Sequence, residues 1–237
     1  MAEGFKFSPC VFNGQGAVEQ SLYALGAVSK GSTSVGIVAA DGAVIATATR
    51  MSSPLMEPRG ILHVAPIDTM IGMTYSGLSG DFHLLKKHAQ KGAQDIKLIN
   101  GVPVEVKQLA HCLAFVMQEH IHSASARPFG AALLIAGWDK GLPQLYACSA
   151  DDSYFPRKAI ALGRNAAECT NLLEQRYNKK LKVEDAINAA LLALKKGYEE
   201  EQKGPMPSEA IQMGIAYPEG FERVEFDIVD EFYADCV

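Results

Sequence analysis

The sequence predicts an α/β protein of the α+β type, a four-layer αββα sandwich in which two β-sheets pack face to face between outer layers of helices. Two observations predict this fold class. Segments with strand character are followed by two consecutive amphipathic helices, and this succession occurs twice before a last pair of strands. An extra helix precedes the first strand. Because one core can serve a chain of 237 residues, we expect a single domain over 1–237.

The first half of the chain begins with an amphipathic helix. Val18, Leu22, Leu25 and Val28 recur at helical spacing, and Gly31 is suited to end the helix. Two β-branched segments then flank a short turn at 40–42, which predicts a hairpin. The predicted elements of this half are a helix over 17–30, strands over 34–39, 43–49, 62–67 and 70–75, and helices over about 79–96 and 104–123.

The second half has the same order of elements. We place the start of the second sheet at its first strand, after the segment 127–130, and expect Asn165 to cap the next helix. The acidic end, 222–235, is predicted as a strand plus a short helix. The predicted elements of this half are strands over 131–136, 144–147 and 159–162, helices over 165–177 and 183–200, and strands over 211–216 and 222–226.

The composition argues against several functional classes. The formal net charge of -5 gives no overall basic field for nucleic acid or anionic lipid, and no apolar run reaches membrane-spanning length. The 5 cysteines are scattered without a CxxC pair, which is typical of small buried hydrophobic residues in a reducing compartment. We therefore expect neither a nucleic-acid partner nor a membrane, and no thiol chemistry.

Two patterns that suggest a ligand lack the necessary spacing. His111, His120 and His122 are separated by nine and two positions, so they do not share one helix face, and HEXXH is absent. The segment 13–16 (NGQG) has neither GxGxxG nor Walker spacing and is predicted as a turn. We expect no metal and no cofactor.

A series of motifs is similar to those of one known family. Residues 23–37 (YALGAVSKGSTSVGI) resemble the α-subunit signature of the proteasome. The other matching motifs are 75–78 (YSGL) with Asp81, 116–119 (VMQE), 127–130 (RPFG), 134–138 (LIAGW), Lys158 with Gly163, 173–178 (LEQRYN) and 184–187 (EDAI). The chain thus resembles the α-type subunits of the 20S proteasome over nearly its whole length, and 4–8 (GFKFS) is similar to the start of the type-two branch.

The resemblance implies an N-terminal-nucleophile hydrolase-like fold without its catalytic groups. Active members of the superfamily use an N-terminal threonine, freed by self-cleavage, whose own amine helps to activate the hydroxyl. Here Ser32 matches that threonine and lies behind a predicted helix, while Ala48 matches the supporting carboxylate and His63 the lysine. We therefore expect a non-catalytic subunit.

The resemblance also assigns roles to the two N-terminal segments. The tail 1–12 would form part of a gate over the channel, with Phe5, Lys6 and Phe7 in the tail and Gly14 just after it as gate residues. Phe5, Lys6 and Gly14 replace the tyrosine, aspartate and turn proline of the family, so open-gate stabilisation is not expected of this chain. In the helix 17–30, Val18, Leu22 and Leu25 would contact the neighbouring subunit or pack within the chain, and the sequence leaves both alternatives open.

A structural and gating subunit of the α ring is the implied function. Its partners would be the other α subunits of a heteroheptameric ring, the β-subunit ring that supplies proteolysis, and activator particles, in cytoplasm and nucleus. His63 matches a lysine that binds activator C-termini, and an imidazole would be a weaker, pH-dependent partner. Two alternatives remain, a self-processing N-terminal-nucleophile amidohydrolase and an α-only ring that works as a holding module.

Overall fold

A computed structural model describes residues 12–49, 55, 60, 62–123, 126–151, 153–202 and 206–236. In these residues, ten strands and six α-helices follow one another in the predicted succession. Their bounds are α1 Glu19–Ser29, β1 Thr33–Val38, β2 Ala43–Ala48, β3 Val64–Asp68, β4 Ile71–Gly77, α2 Ser79–Asn100, α3 Val106–His122, β5 Ala131–Asp139, β6 Leu142–Cys148, β7 Tyr154–Pro156, β8 Ala159–Leu162, α4 Ala166–Arg176, α5 Val183–Gln202, β9 Ile211–Tyr217, β10 Gly220–Arg223 and α6 Phe226–Cys236.

The described strands form two antiparallel sheets of five strands each. The first sheet has the order β10-β9-β2-β1-β8 and the second has the order β3-β4-β5-β6-β7. The prediction that the second sheet begins at residue 131 is therefore wrong. The strands β3 and β4 already belong to it, since β4 pairs with β5 from Ile71↔Gly137 to Gly77↔Ala131, and β8 returns to the first sheet beside β1.

Three hydrophobic layers separate the helices and sheets, which confirms the αββα sandwich. The layer between the first sheet and its helices contains Val35 of β1 and Leu191 of α5, both fully buried. Between the second sheet and α2 and α3, Leu85 and Leu113 are fully buried. A smaller apolar cluster that includes Ile45 lies between the two sheets. The extra N-terminal helix, α1, lies outside these layers and packs on a small cluster of its own.

Most differences from the predicted elements occur at their ends. The helix α2 continues to Asn100, where Gly101 adopts a left-handed conformation (φ 71°) and its N–H bonds to Lys97 O. This is a common way for a helix to end, and the sequence prediction stopped one turn too early. The three-residue edge strand β7 was missed because so short a segment has no measurable periodicity. At the C-terminus a strand and a helix are present as predicted, but the strand ends at Arg223 and the helix already begins at Phe226, within the predicted strand 222–226.

A buried carboxylate fixes the start of α2 to the segment that leads into β5. Asp81 accepts two hydrogen bonds from the Arg127 guanidinium, at 2.7 and 2.6 Å, and one from the backbone N–H of Gly130 at 2.8 Å. Burial alone would raise the pKa of Asp81, but the bonds from Arg127 and Gly130 outweigh it and hold this pKa below its ordinary value. Two motifs far apart in the sequence are thereby joined at one point.

A single aromatic ring closes one edge of the sandwich. Phe221 of β10 lies where Gly72 of β4 and Gly214 of β9 have no side chains, and a Cβ on Gly72 would overlap its ring. The backbone N–H of Phe221 donates to Thr69 O at 2.8 Å, which ties β10 to the turn between β3 and β4. The two sheets are therefore connected at this edge by both a ring contact and a backbone bond.

Candidate functional site

The junction between α1 and β1 is the place where the sequence predicts a disabled nucleophile. The inner face of α1 buries Ala24 and Val28 against Ala132 and Ala150. At the end of the helix, Gly31 packs so closely on β4 that a Cβ there would overlap the Gly77 N–H group and lie 2.6 Å from Ser76 Oγ. Only glycine fits this position without movement of the backbone.

Two side chains from distant parts of the chain donate hydrogen bonds to carbonyls at the C-terminal end of α1. Ser76 Oγ donates to Val28 O at 3.1 Å, and Arg164 Nη2 donates to Lys30 O at 2.8 Å. The backbone N–H of Arg164 also donates to Gly31 O at 3.2 Å, and Thr33 Oγ1 donates to Arg164 O at 2.7 Å. The chain on both sides of Ser32 is thus held in place, and carbonyls that a helix end leaves unpaired are satisfied.

A polar cleft of about 270 Å³ opens at this junction. Its charged lining residues, among those the structure describes, are both cations, Lys30 and Arg164, and the complete lining is Lys30, Gly31, Ser32, Thr33, Ala48, Gly77, Arg164 and Tyr198. Ser32 and Ala48, which the resemblance matches to two catalytic positions, therefore line the same cleft. His63 is not among the lining residues.

The hydroxyl groups near the cleft are arranged as a structural network. Ser34 Oγ donates to Tyr75 O at 2.6 Å and lies 2.9 Å from Thr47 Oγ1, which in turn donates to Thr33 O at 3.1 Å. Ala48, which the resemblance matches to the supporting carboxylate, is the strand partner of Thr33 and carries only a methyl group. The arrangement stabilises the junction.

Arg164 was missed by the sequence analysis. It lies between Gly163 (φ 89°) and Asn165 (φ 53°), two residue types that tolerate the left-handed conformation. A tight turn could have been predicted from this pair. Its contact with the α1–β1 junction could not, because the bonded residues are more than 130 positions apart.

His63, predicted in the activator pocket, lies inside the fold. Its ring stacks on Tyr75 with the planes 2° apart, its backbone N–H donates to Gln212 Oε1 at 2.9 Å, and 8% of its surface is exposed. The buried Nδ1 has no hydrogen-bond partner among the described residues. Burial, with a smaller contribution from the charge of His83, lowers the pKa of His63 to about 4. The imidazole is therefore neutral at pH 7.

This depressed pKa predicts a specific pH dependence of stability. In the unfolded chain His63 titrates near pH 6.5, so between pH 6.5 and about 4 the unfolded state binds more protons and stability falls as the pH is lowered. We expect a loss of about 2 kcal/mol between pH 7 and pH 5. His63→Phe keeps a ring for the stack and should flatten this part of the profile in urea unfolding, whereas His122→Gln, at an exposed helix end, should not. Parallel profiles for His63→Phe and the unaltered chain would contradict the prediction.

The predicted assembly stripe is divided by the structure. Val18 immediately precedes α1 and forms an isolated bridge with Phe12, and Leu25 is partly buried against the cluster beneath α1. Leu22 is 49% exposed, and its neighbour Tyr23 is 58% exposed. Packing within the chain thus accounts for part of the stripe, and Leu22 with Tyr23 forms its outward part. Contact with a neighbouring subunit stays a prediction.

Of the predicted gate residues, Phe5, Lys6 and Phe7 lie outside the described residues. Gly14 lies in a tight turn, as expected for 13–16. Asn13 Oδ1 accepts hydrogen bonds from the N–H groups of Gln15 and Ala17, and Gly16 adopts a left-handed conformation (φ 77°). The Asn13 side chain therefore stabilises this turn, as asparagine side chains commonly do.

In the described ranges, no three or more His, Cys, Asp or Glu side chains are grouped so that they could hold a metal ion. Of the described helices, none is both long and apolar enough to span a membrane.

Comparison with known proteins agrees with the motifs. The proteasome subunit family profile matches residues 28–211. Proteasome subunit alpha type-2 of Drosophila melanogaster is 41% identical over 232 residues, which is 98% of this chain and 97% of that protein. The probable alpha type-2 subunit of Neurospora crassa is 41% identical over 220 residues (92% and 86%), and alpha type-2-A of Arabidopsis thaliana is 38% identical over 232 residues (98% and 97%). The chain, with its sandwich and its helix-covered junction, belongs to the proteasome subunit family.

Proposed function

We propose that this protein is a non-catalytic α-type subunit of the 20S proteasome core, a structural and gating part of the α ring. The observation that carries the proposal is the α1–β1 junction. Ser32 lies within a continuous chain whose preceding residue, Gly31, is packed on Gly77, and Ala48 stands where the carboxylate would be needed. An internal serine has no free amine, so the activation used by N-terminal nucleophiles is blocked.

The partners follow from this proposal. Other α subunits would complete a heteroheptameric ring, with the outward side chains Leu22 and Tyr23 of α1 among the contacts. A β-subunit ring would supply proteolysis, so that this chain contributes to ubiquitin-dependent degradation without cutting peptides itself. Cytoplasm and nucleus are the proposed compartments, and fluorescence microscopy of the tagged chain would test this. Absence of the chain from both compartments would contradict the proposal.

Activator docking is part of the proposal and differs in detail from the sequence prediction. His63 is buried and uncharged at pH 7, so it offers no cation to a C-terminal carboxylate. Lys30 and Arg164 are the cations that line the cleft, together with Gly77 of β4. Gly77 lies two positions along β4 from Tyr75, on whose ring His63 stacks. Docking would therefore depend on Lys30 and Arg164, and the His63→Phe variant should bind an activator peptide as tightly as the unaltered particle.

The deciding experiment is native mass spectrometry of the endogenous complex, followed by denaturation to measure the intact mass of this chain. We expect a particle of about twenty-eight subunits, as the family resemblance implies, in which this chain is not cleaved before Ser32. As a matched test, Ser32→Ala with Thr33→Ala should leave the peptidase activity of the particle unchanged.

Other outcomes would reject the proposal in distinguishable ways. A small assembly with the chain cut before Ser32 or Thr33 would establish a self-processing amidohydrolase. A ring of α-type chains alone would establish a holding module.

A further inference from the structure

An asparagine followed by a glycine lies in the tight turn that precedes α1. In such a pair the backbone nitrogen of the glycine can attack the side-chain carbonyl carbon of the asparagine, which then loses its amide without any enzyme. Glycine favours this attack because it has a flexible backbone and no Cβ to obstruct the ring that forms. The sequence contains two such pairs, at 13–14 and 100–101.

Three hydrogen bonds hold the side chain of Asn13 in the turn. Its Oδ1 accepts from the N–H groups of Gln15 at 2.9 Å and Ala17 at 3.0 Å, and its Nδ2 donates to Glu19 Oε1 at 2.9 Å. The backbone closes around this side chain, since Asn13 N–H donates to Ala17 O at 2.8 Å and Gly16 N–H donates to Asn13 O at 2.9 Å. Both polar atoms of the side-chain amide are therefore engaged.

These bonds restrain the atoms that have to move in a deamidation. The reaction forms a bond between Gly14 N and Asn13 Cγ and breaks the bond between Cγ and Nδ2. Because Nδ2 is the leaving group and Oδ1 stays on the attacked carbon, each of the three bonds opposes the change. The closed turn is thus protected, and the reaction proceeds through states in which the turn has opened.

The attacking nitrogen, by contrast, is accessible. Gly14 is exposed, and a Cβ at this position would meet nothing within 4 Å. Its N–H has no hydrogen-bond partner among the described residues. Solvent can therefore reach this N–H and remove its proton.

The second pair is held differently and serves as an internal comparison. Asn100 is the last residue of α2, and the N–H of Gly101 donates to Lys97 O at 2.9 Å. Here the proton of the attacking nitrogen is bound by the helix end, and no part of this arrangement belongs to the turn before α1.

We propose that Asn13 with Gly14 is a deamidation site controlled by the turn, protected while the three side-chain bonds are formed and reactive when the turn opens. The proton of Gly14 N passes to solvent, the nitrogen attacks Cγ, and Nδ2 takes a proton from solvent and leaves as ammonia. The resulting five-membered succinimide is opened by one water molecule at either of its two carbonyls, which gives aspartate or isoaspartate.

The product differs from asparagine exactly where the turn is closed. The amide that donates to Glu19 Oε1 is replaced by a carboxylate, so a hydrogen bond becomes a repulsion between like charges. Deamidation therefore disfavours the closed turn at the start of α1 and, since ammonia is lost, the change is not reversed by refolding.

The test is incubation of the purified full-length chain at mildly alkaline pH, with peptide mapping by mass spectrometry to follow both pairs. Glu19→Ala removes one of the three bonds and should make deamidation of Asn13 roughly fivefold faster. Glu19→Gln keeps an oxygen that accepts from Nδ2 and should stay within about twofold of the unaltered chain. Both variants lose the charge that favours the start of α1, so their difference isolates the bond.

A third variant tests the chemistry itself. Gly14→Ala adds a Cβ that the fold accommodates but that obstructs ring closure, and it should slow deamidation of Asn13 roughly tenfold or more. In all three variants the rate at Asn100 should change by about twofold at most, because this pair is remote from the turn. Circular dichroism of each variant checks that it is folded.

Four results would overturn the proposal. Equal rates at Asn13 in Glu19→Ala and the unaltered chain would show that the turn does not restrain the amide. An acceleration in Glu19→Gln as large as that in Glu19→Ala would assign the effect to the lost charge. A parallel acceleration at Asn100 would assign it to a general loosening of the chain, and absence of conversion at Asn13 in Glu19→Ala would exclude the site.

Discussion

Replacement of Gly31 by alanine should displace the α1–β1 junction and destabilise the chain by about 3 kcal/mol, at the upper end of the cost of overpacking. The added Cβ would overlap the Gly77 N–H group and lie 2.7 Å from Gly77 Cα. The backbone of β4 cannot withdraw without losing its pairing with β5, so the helix has to move. Urea unfolding would measure the loss, and native mass spectrometry would show reduced incorporation into the particle.

The matched control lies five residues earlier, in α1 itself. A Cβ at Gly26 would meet nothing within 4 Å, so Gly26→Ala adds a methyl group without a clash. Because alanine is favoured over glycine inside a helix, this variant should be neutral or more stable by about 0.5–1 kcal/mol. Equal stabilities for Gly31→Ala and Gly26→Ala would show that the close approach of α1 to β4 is not required.

Replacement of Gly72 by alanine should cost about 2–3 kcal/mol, because the new Cβ would overlap the ring of Phe221. The ring fills the space above Gly72 and Gly214 and cannot move aside without exposing apolar surface between the sheets. Phe221→Ala alone should cost about 2 kcal/mol, less than for a fully buried phenylalanine, since the ring is only partly buried.

The double variant separates a specific clash from a general weakness of this sheet edge. Without the ring there is no overlap, so Gly72→Ala should cost little in the Phe221→Ala background, with a coupling of about 2–3 kcal/mol between the two sites. Chemical denaturation of the four proteins of this cycle measures that coupling. Gly80→Ala, where a Cβ meets nothing within 4 Å, serves as the clash-free glycine control and should not be destabilising. Strictly additive effects would refute the proposed contact.

The sequence by itself determined the fold class, nearly all the elements and the family. Periodicity depends on residues a few positions apart. The predicted ends of α1 and of the two strands of the first hairpin therefore lie within two residues of the observed ends. The family motifs are equally local. The pairing of the first two strands also followed, because a hairpin with a short turn sets its own register.

The tertiary structure alone decided which strands share a sheet, what surrounds His63, and how the α1–β1 junction is held. The assignment of β3 and β4 to the second sheet depends on pairing with β5, across two intervening helices. The burial of His63, the bonds of Arg164 to the junction and the position of Phe221 over two glycines likewise join distant parts of the chain. Such contacts are fixed by packing and by hydrogen bonds formed only when the layers assemble, and they leave no periodic or compositional trace in the sequence.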